Sequence, residues 1–239
     1  MITIQTILFA LVGGVLPALV WLYFWLKEDS RCPEPRHLIV LAFVAGMVAV
    51  PLVLPFQKWA IAHYGEISTT VIFVWAAVEE LMKYAVAAVA VLWRRAVNEP
   101  IDAMMYMITA ALGFAALENT LFLLSPIADG RLIDSFVTGN LRFLGATLLH
   151  VLASAMVGFA LAVSFYAHKK LMPIYASIGL ILAIALHTVF NLLIISGEGR
   201  NTLTAFFFVW TGAVVLLVLF EIARFIRVKH TRPKKRDGC

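Results

Sequence analysis

The stretch Trp75-Ala76-Ala77-Val78-Glu79-Glu80-Leu81-Met82-Lys83-Tyr84-Ala85-Val86 decides how this chain is read. Three ionisable side chains sit in the middle of an apolar run covering roughly residues 67–93. About 20 residues of helix cross the hydrocarbon core of a bilayer. A charge at that depth costs from a few to ~10 kcal/mol unless it has partners. Three more apolar runs repeat the anomaly: Phe114-Ala115-Ala116-Leu117-Glu118-Asn119, then His150 within Thr147-Leu148-Leu149-His150-Val151-Leu152, then Leu186-His187-Thr188-Val189-Phe190-Asn191. Three acids and two imidazoles on four segments are expected to be one another's partners, around a metal.

The composition agrees that the solvent is lipid. Of 239 residues 62% are apolar and 14% charged, against about 25% charged in soluble domains. Hydropathy divides the chain into seven candidate spans, roughly 3–26, 37–57, 67–93, 102–125, 136–167, 172–196 and 202–226. The predicted fold is an all-α polytopic transmembrane bundle of about seven to eight helices, one domain over 1–226 followed by a basic tail, 227–239. Pro51 and Pro55 are expected to kink the second span. The first apolar stretch lacks a basic leader and reads as a retained span. Cys32 and Cys239 have no metal-ligand spacing and are too few for a disulfide framework. The tail reads as an anchor beside anionic lipid, not as a nucleic-acid-binding arm.

Lys and Arg set the direction. Lys27, Arg31, Arg36, Arg94, Arg95, Lys169, Lys170 and the basic residues from Arg224 to Arg236 fall on one side; Lys58, Arg131 and Arg200 fall on the other. The N-terminus is therefore expected outside and the C-terminus in the cytoplasm. Counted from the outer ends of their spans, Glu79, Glu118, His150 and His187 lie roughly 10–21 Å deep, in one layer.

Glu79 and Glu80 are about 100° apart on a helix, and Lys83 lies at i+4 and i+3 from them. One carboxylate is thus expected to face the site and the other to be held by Lys83 or a neighbouring helix. Glu118, His150 and His187 form a two-histidine, one-carboxylate set of the kind that holds zinc in hydrolases. A bound metal makes water acidic near neutral pH, and Glu79 or Glu80 is the candidate base. Asn191, one turn after His187, can donate to an oxyanion. Ser154, at i+4 from His150, reads as packing or as bonded back to its own helix. Neither His-Glu-x-x-His nor Gly-x-Ser-x-Gly occurs.

Read in order, the four stretches resemble the PrsW family of membrane-embedded proteases, within the wider group that includes the CAAX prenyl endopeptidases. The family pattern is Glu-Glu-x-x-Lys (Glu79, Glu80, Lys83), Phe-x-x-x-Glu-Asn (Phe114, Glu118, Asn119), a later histidine (His150) and His-x-x-x-Asn (His187, Asn191). The match covers about residues 75–192. A CAAX enzyme would show Glu-Glu-x-x-x-Arg and Phe-x-x-x-His, so this chain sits nearer PrsW. The resemblance implies hydrolysis of a membrane-anchored protein substrate, such as an anti-sigma factor, in a prokaryotic cytoplasmic membrane. Two other readings share these residues. One is a metal-independent glutamate protease in which His150, His187 and Asn191 stabilise the oxyanion. The other is a proton- or cation-coupled transporter, which the lack of repeated halves disfavours.

Overall fold

The computed structural model describes residues 2–29, 33–65, 68–167, 169–195 and 201–230. Both cysteines and the tail beyond His230 lie outside the described residues. Among the described residues helix is the only regular structure. The helices are α1 (Ile4–Glu28), α2 (Arg36–Tyr64), α3 (Thr69–Ala87, continued by a π-helical turn Ala88–Leu92), α4 (Pro100–Ala128), α5 (Leu132–Leu141), α6 (Thr147–Ser164), α7 (Met172–Ile195) and α8 (Thr202–His230).

The helix starts follow local chemistry. Thr3 and Thr6 cap α1 reciprocally, and the Ser68 hydroxyl accepts from the Val71 N–H at the head of α3. Pro100 opens α4, where its missing N–H is harmless, and Asp102 takes the free N–H groups of Asn98 and Glu99 at 2.8 Å each. The expected fifth span is divided: α5 ends at Leu141, a π-helical turn covers Arg142–Ala146, and α6 follows. Both Pro51 and Pro55 lie inside a single helix, α2.

The bundle is organised around α4. Every residue from Pro100 to Ala116 is buried, so this helix is apolar on all sides, as a central helix must be. Small residues let its neighbours approach. A Cβ on Gly46 of α2 would fall 1.9 Å from the Ala110 carbonyl oxygen, and one on Gly113 equally close to that of Phe43. Gly158 brings α6 against Met104, and Gly14 brings α1 against Thr120. Close backbone approach through glycine is how helices gain contact in lipid, where burying apolar surface yields little.

Among the described residues, six helical stretches are long and apolar enough to cross a membrane: α1, α2, α4, the α5–α6 run, α7 and α8. The seventh expected span, α3, does not meet that composition. It carries Glu79, Glu80 and Lys83, which are all turned inward, at most 4% exposed. Large apolar side chains instead cover much of the outer surface, including Phe9, Phe73, Phe136, Ile181 and Phe207. The chain is an integral membrane protein.

Candidate active site

The charged side chains singled out in the sequence meet in one chain of contacts that crosses five α-helices and the π-helical turn at Arg142. It begins on α2, where Gln57 Nε2 donates to Glu79 Oε1 at 2.8 Å. Glu79 Oε2 lies 3.7 Å from His187 Nε2 on α7. The other ring nitrogen of His187, Nδ1, is 2.7 Å from Glu80 Oε1. That oxygen also accepts from Lys83 Nζ at 2.6 Å. Lys83 Nζ then lies 2.9 Å from His150 Nδ1 on α6. His150 Nε2 is 3.0 Å from Glu118 Oε2 on α4, and the same oxygen accepts from Arg142 at 2.5 Å.

The two adjacent glutamates point different ways, as a 100° step on α3 requires. Glu80 and Lys83 are side chains of zero exposure, so Glu80 is held inside the bundle by Lys83 and His187. Glu79 borders the cavity instead. Its Oε1 is tied to Gln57, whereas its Oε2 is buried without a hydrogen-bond partner. A buried polar atom left unpaired costs about 1–3 kcal/mol; Glu80 Oε2 is unpaired as well, but of the two glutamates only Glu79 lines the cavity.

The cavity measures about 550 Å³. Its floor carries Glu79, Glu118, Arg142, His150, His187 and Asn191, and its walls are largely apolar, with Val53, Leu54, Phe122, Leu149, Phe190 and Phe206 among them. Aromatic packing stiffens the floor. The Phe114 ring stands edge-on to His150 at 5.2 Å and lies 4.6 Å from Lys83 Nζ, and the His150 and His187 rings are 5.1 Å apart.

Glu79, His150 and His187 each offer a ligand atom, all within 4.8 Å of one another. The set expected from the sequence had Glu118 in place of Glu79. Glu118 reaches His150, but Arg142 holds it and it is not one of those three. Asn191 lines the cavity one turn beyond His187. Ser154 is fully buried with its hydroxyl unbonded, so it packs and does not bond back to α6.

Two contributors escaped the sequence reading. Gln57 carries no motif, yet its side chain holds Glu79 and its carbonyl accepts from Trp75 Nε1 at 3.1 Å. Arg142 lies inside the fifth apolar run and belongs to none of the four motifs. The signal that could have found it is that a lone arginine inside an apolar run needs an acid, and Glu118 is the acid it meets.

The profile of PrsW family intramembrane metalloproteases matches residues 34–221. Protease PrsW of Geobacillus kaustophilus is 30% identical over 196 residues, covering 80% of this chain and 82% of the relative. Protease PrsW of Oceanobacillus iheyensis is 25% identical over 222 residues, 91% of this chain and 95% of the relative. Protease PrsW of Bacillus subtilis is 26% identical over 183 residues, 75% and 80% of the two chains. No solved structure matches significantly.

Proposed function

The chain belongs to the PrsW family of intramembrane proteases of the bacterial cytoplasmic membrane, and we propose that it cuts membrane-anchored proteins where Glu79, His150 and His187 meet. The observation that carries this reading is the free Oε2 of Glu79, buried at the edge of a cavity and 3.7 Å from His187 Nε2.

The donor set fits a divalent metal such as zinc. Two imidazoles and a carboxylate are the ligand types of hydrolytic zinc sites, and their ligand atoms lie within 4.8 Å of one another. His187 is backed at Nδ1 by the Glu80 carboxylate, the partner that metal-binding histidines take on their second nitrogen. Glu79, His150 and His187 would hold the ion; when bound, it supplies Lewis acidity that makes water acidic near neutral pH. The remaining work falls to the chain. Glu118, 18% exposed and on the cavity floor, accepts the proton of the attacking water and returns it to the leaving amine. Asn191 orients the substrate carbonyl. Glu80 and Lys83 neutralise each other and fix His187. The apolar walls receive an extended, apolar stretch of substrate with little bulk water.

One contact favours a second reading. If Lys83 donates to His150 Nδ1, the hydrogen of His150 is on Nε2 and that nitrogen cannot ligate a cation. Glu79 then activates water unaided and His150 donates to the oxyanion. Elemental analysis of purified protein separates the two readings: about one divalent ion per chain, lost in His187→Ala, supports the first, and full activity after complete chelation supports the second.

The asymmetry of basic loops supports an outer N-terminus, which puts the cut in the extracytoplasmic half of the bilayer. The resemblance extends the substrate class to anti-sigma-factor-like proteins. Mass spectrometry of fragments shed from cells expressing the wild type or Glu79→Ala tests the function directly. Membrane-protein ectodomains released only by the wild type are the expected outcome; identical shedding by both refutes it.

A further inference from the structure

We propose that Arg142 is a further catalytic residue, whose guanidinium donates to the carbonyl oxygen of the bond being cut. The assignment rests on the hydrolytic reading of the cavity above.

An arginine within a membrane segment is expensive, and neutralising Glu118 needs only a point charge. The structure gives Arg142 much more. Its Nε donates to Asn119 Oδ1 at 2.5 Å and an Nη to Glu118 Oε2 at 2.5 Å. Its guanidinium carbon lies over the Phe122 ring, 3.8 Å from the centroid. All three partners sit on one turn of α4, so the guanidinium is fixed in position and in orientation. Asn119 is itself oriented, since its Nδ2 donates to Thr147 Oγ1 at 2.9 Å. On its own side Arg142 opens the π-helical turn Arg142–Ala146, a local widening often found where a helix places a functional group.

A guanidinium has five N–H groups, and these hydrogen bonds use two. The side chain is 17% exposed and borders the cavity, which leaves donors for a bound ligand. The distance to the other reactive groups is short. Arg142 and His150 Nε2 bind the same Glu118 oxygen, at 2.5 and 3.0 Å, so the two are at most 5.5 Å apart. A carbonyl seated beside His150 is therefore within reach of Arg142.

In the reaction, water oxygen adds to the carbonyl carbon and its proton passes to the carboxylate. The carbonyl electron pair moves onto oxygen, where the aimed N–H groups of Arg142 meet the developing charge. On collapse the pair returns, the C–N bond breaks and the proton goes to the amine. A fixed donor at that position is worth more in the transition state than in the bound substrate.

The test is Arg142→Lys, which keeps a cation for Glu118 and loses the planar fork. The assay uses a membrane-anchored substrate recovered in the shedding comparison, with purified protein in detergent. The expected result is a fall in kcat of about 10²-fold with KM nearly unchanged, and with metal content and melting temperature as in the wild type. Arg142→Ala should regain part of its rate when free guanidinium is added at millimolar concentration. Wild-type kcat in Arg142→Lys, a change confined to KM, or a rate loss matched by loss of metal or stability overturns the assignment. If the wild type itself leaves the substrate intact, the hydrolytic reading fails first and takes this assignment with it.

Discussion

Two groups of buried acids lie on or against α4, with Asp102 and Glu118 about 24 Å apart along its axis, and they are kept in opposite ways. At the candidate active-site end, Glu79, Glu80 and Glu118 meet Lys83, Arg142, His150 and His187 beside a cavity. At the other end, Glu34, 8% exposed, meets Asp102 and accepts from the Tyr106 hydroxyl, while Asp102 closes the first turn of α4. None of these residues lines the cavity that Glu79 faces. Burial, and after it Asp102, pushes the Glu34 carboxyl up to about 8, so it keeps its proton at neutral pH. The first group holds charge ready by surrounding it with cations and donors. The second removes charge and serves as a fastening between the α1–α2 connection and α4. Burial of an acid is thus not by itself a sign of chemistry; an acid with a cation nearby, an unpaired oxygen and a cavity is.

Removing one member from each group tests this most sharply. His187→Ala should reduce cleavage on the order of 10³-fold or more, while Tyr106→Phe should leave cleavage intact and cost about 1 kcal/mol of stability. A Tyr106→Phe protein as inactive as His187→Ala would break the distinction. Within the active-site group, Lys83→Ala leaves the Glu80 carboxylate buried with its cation gone, a loss of about 3–5 kcal/mol. Thermal unfolding in detergent should show it, and Lys83→Met combined with Glu80→Gln should recover part of it. Gln57→Ala is expected to act more mildly, lowering kcat about 5–10-fold, the equivalent of one hydrogen bond to Glu79, with an unchanged melting temperature. The effect at Glu34 is read through pH and not at a single condition. In the fold it holds its proton up to about pH 8, against 4.5 for a free glutamate. Its contribution to stability is therefore complete below pH 4.5 and is lost as pH rises through about 8. Glu34→Gln, neutral at every pH, should match the wild type in acid and melt higher than it above pH 8. Parallel melting curves across that range would remove Glu34 from the second group.

Much of this was legible in advance because ionisable residues stand out in apolar runs. Glu79, Glu80, Lys83, Glu118, His150 and His187 are all found that way, and all belong to the contact network. Gln57 was hidden because it lies near the end of α2, where polar residues need no explanation. Arg142 was visible but unassigned, since its acid lies 24 residues earlier and no local pattern joins them. The fifth apolar run is long enough to suggest a tilt or an interfacial turn at its start, but hydropathy does not place the division at Leu141, because it is blind to a π-helical turn between two apolar helices.

The amino-acid order alone determined that the chain lives in lipid and which four apolar runs carry ionisable side chains inside them, because the energy of a charge in hydrocarbon is too large to be hidden by context. It also determined that Glu79 and Glu80 cannot face one direction. Which of them meets the cavity was decided only in three dimensions, by the rotation of α3 against α2 and α7, with Gln57 on one side and His187 on the other. Helix periodicity sets the angle between two side chains, and packing sets where that angle points.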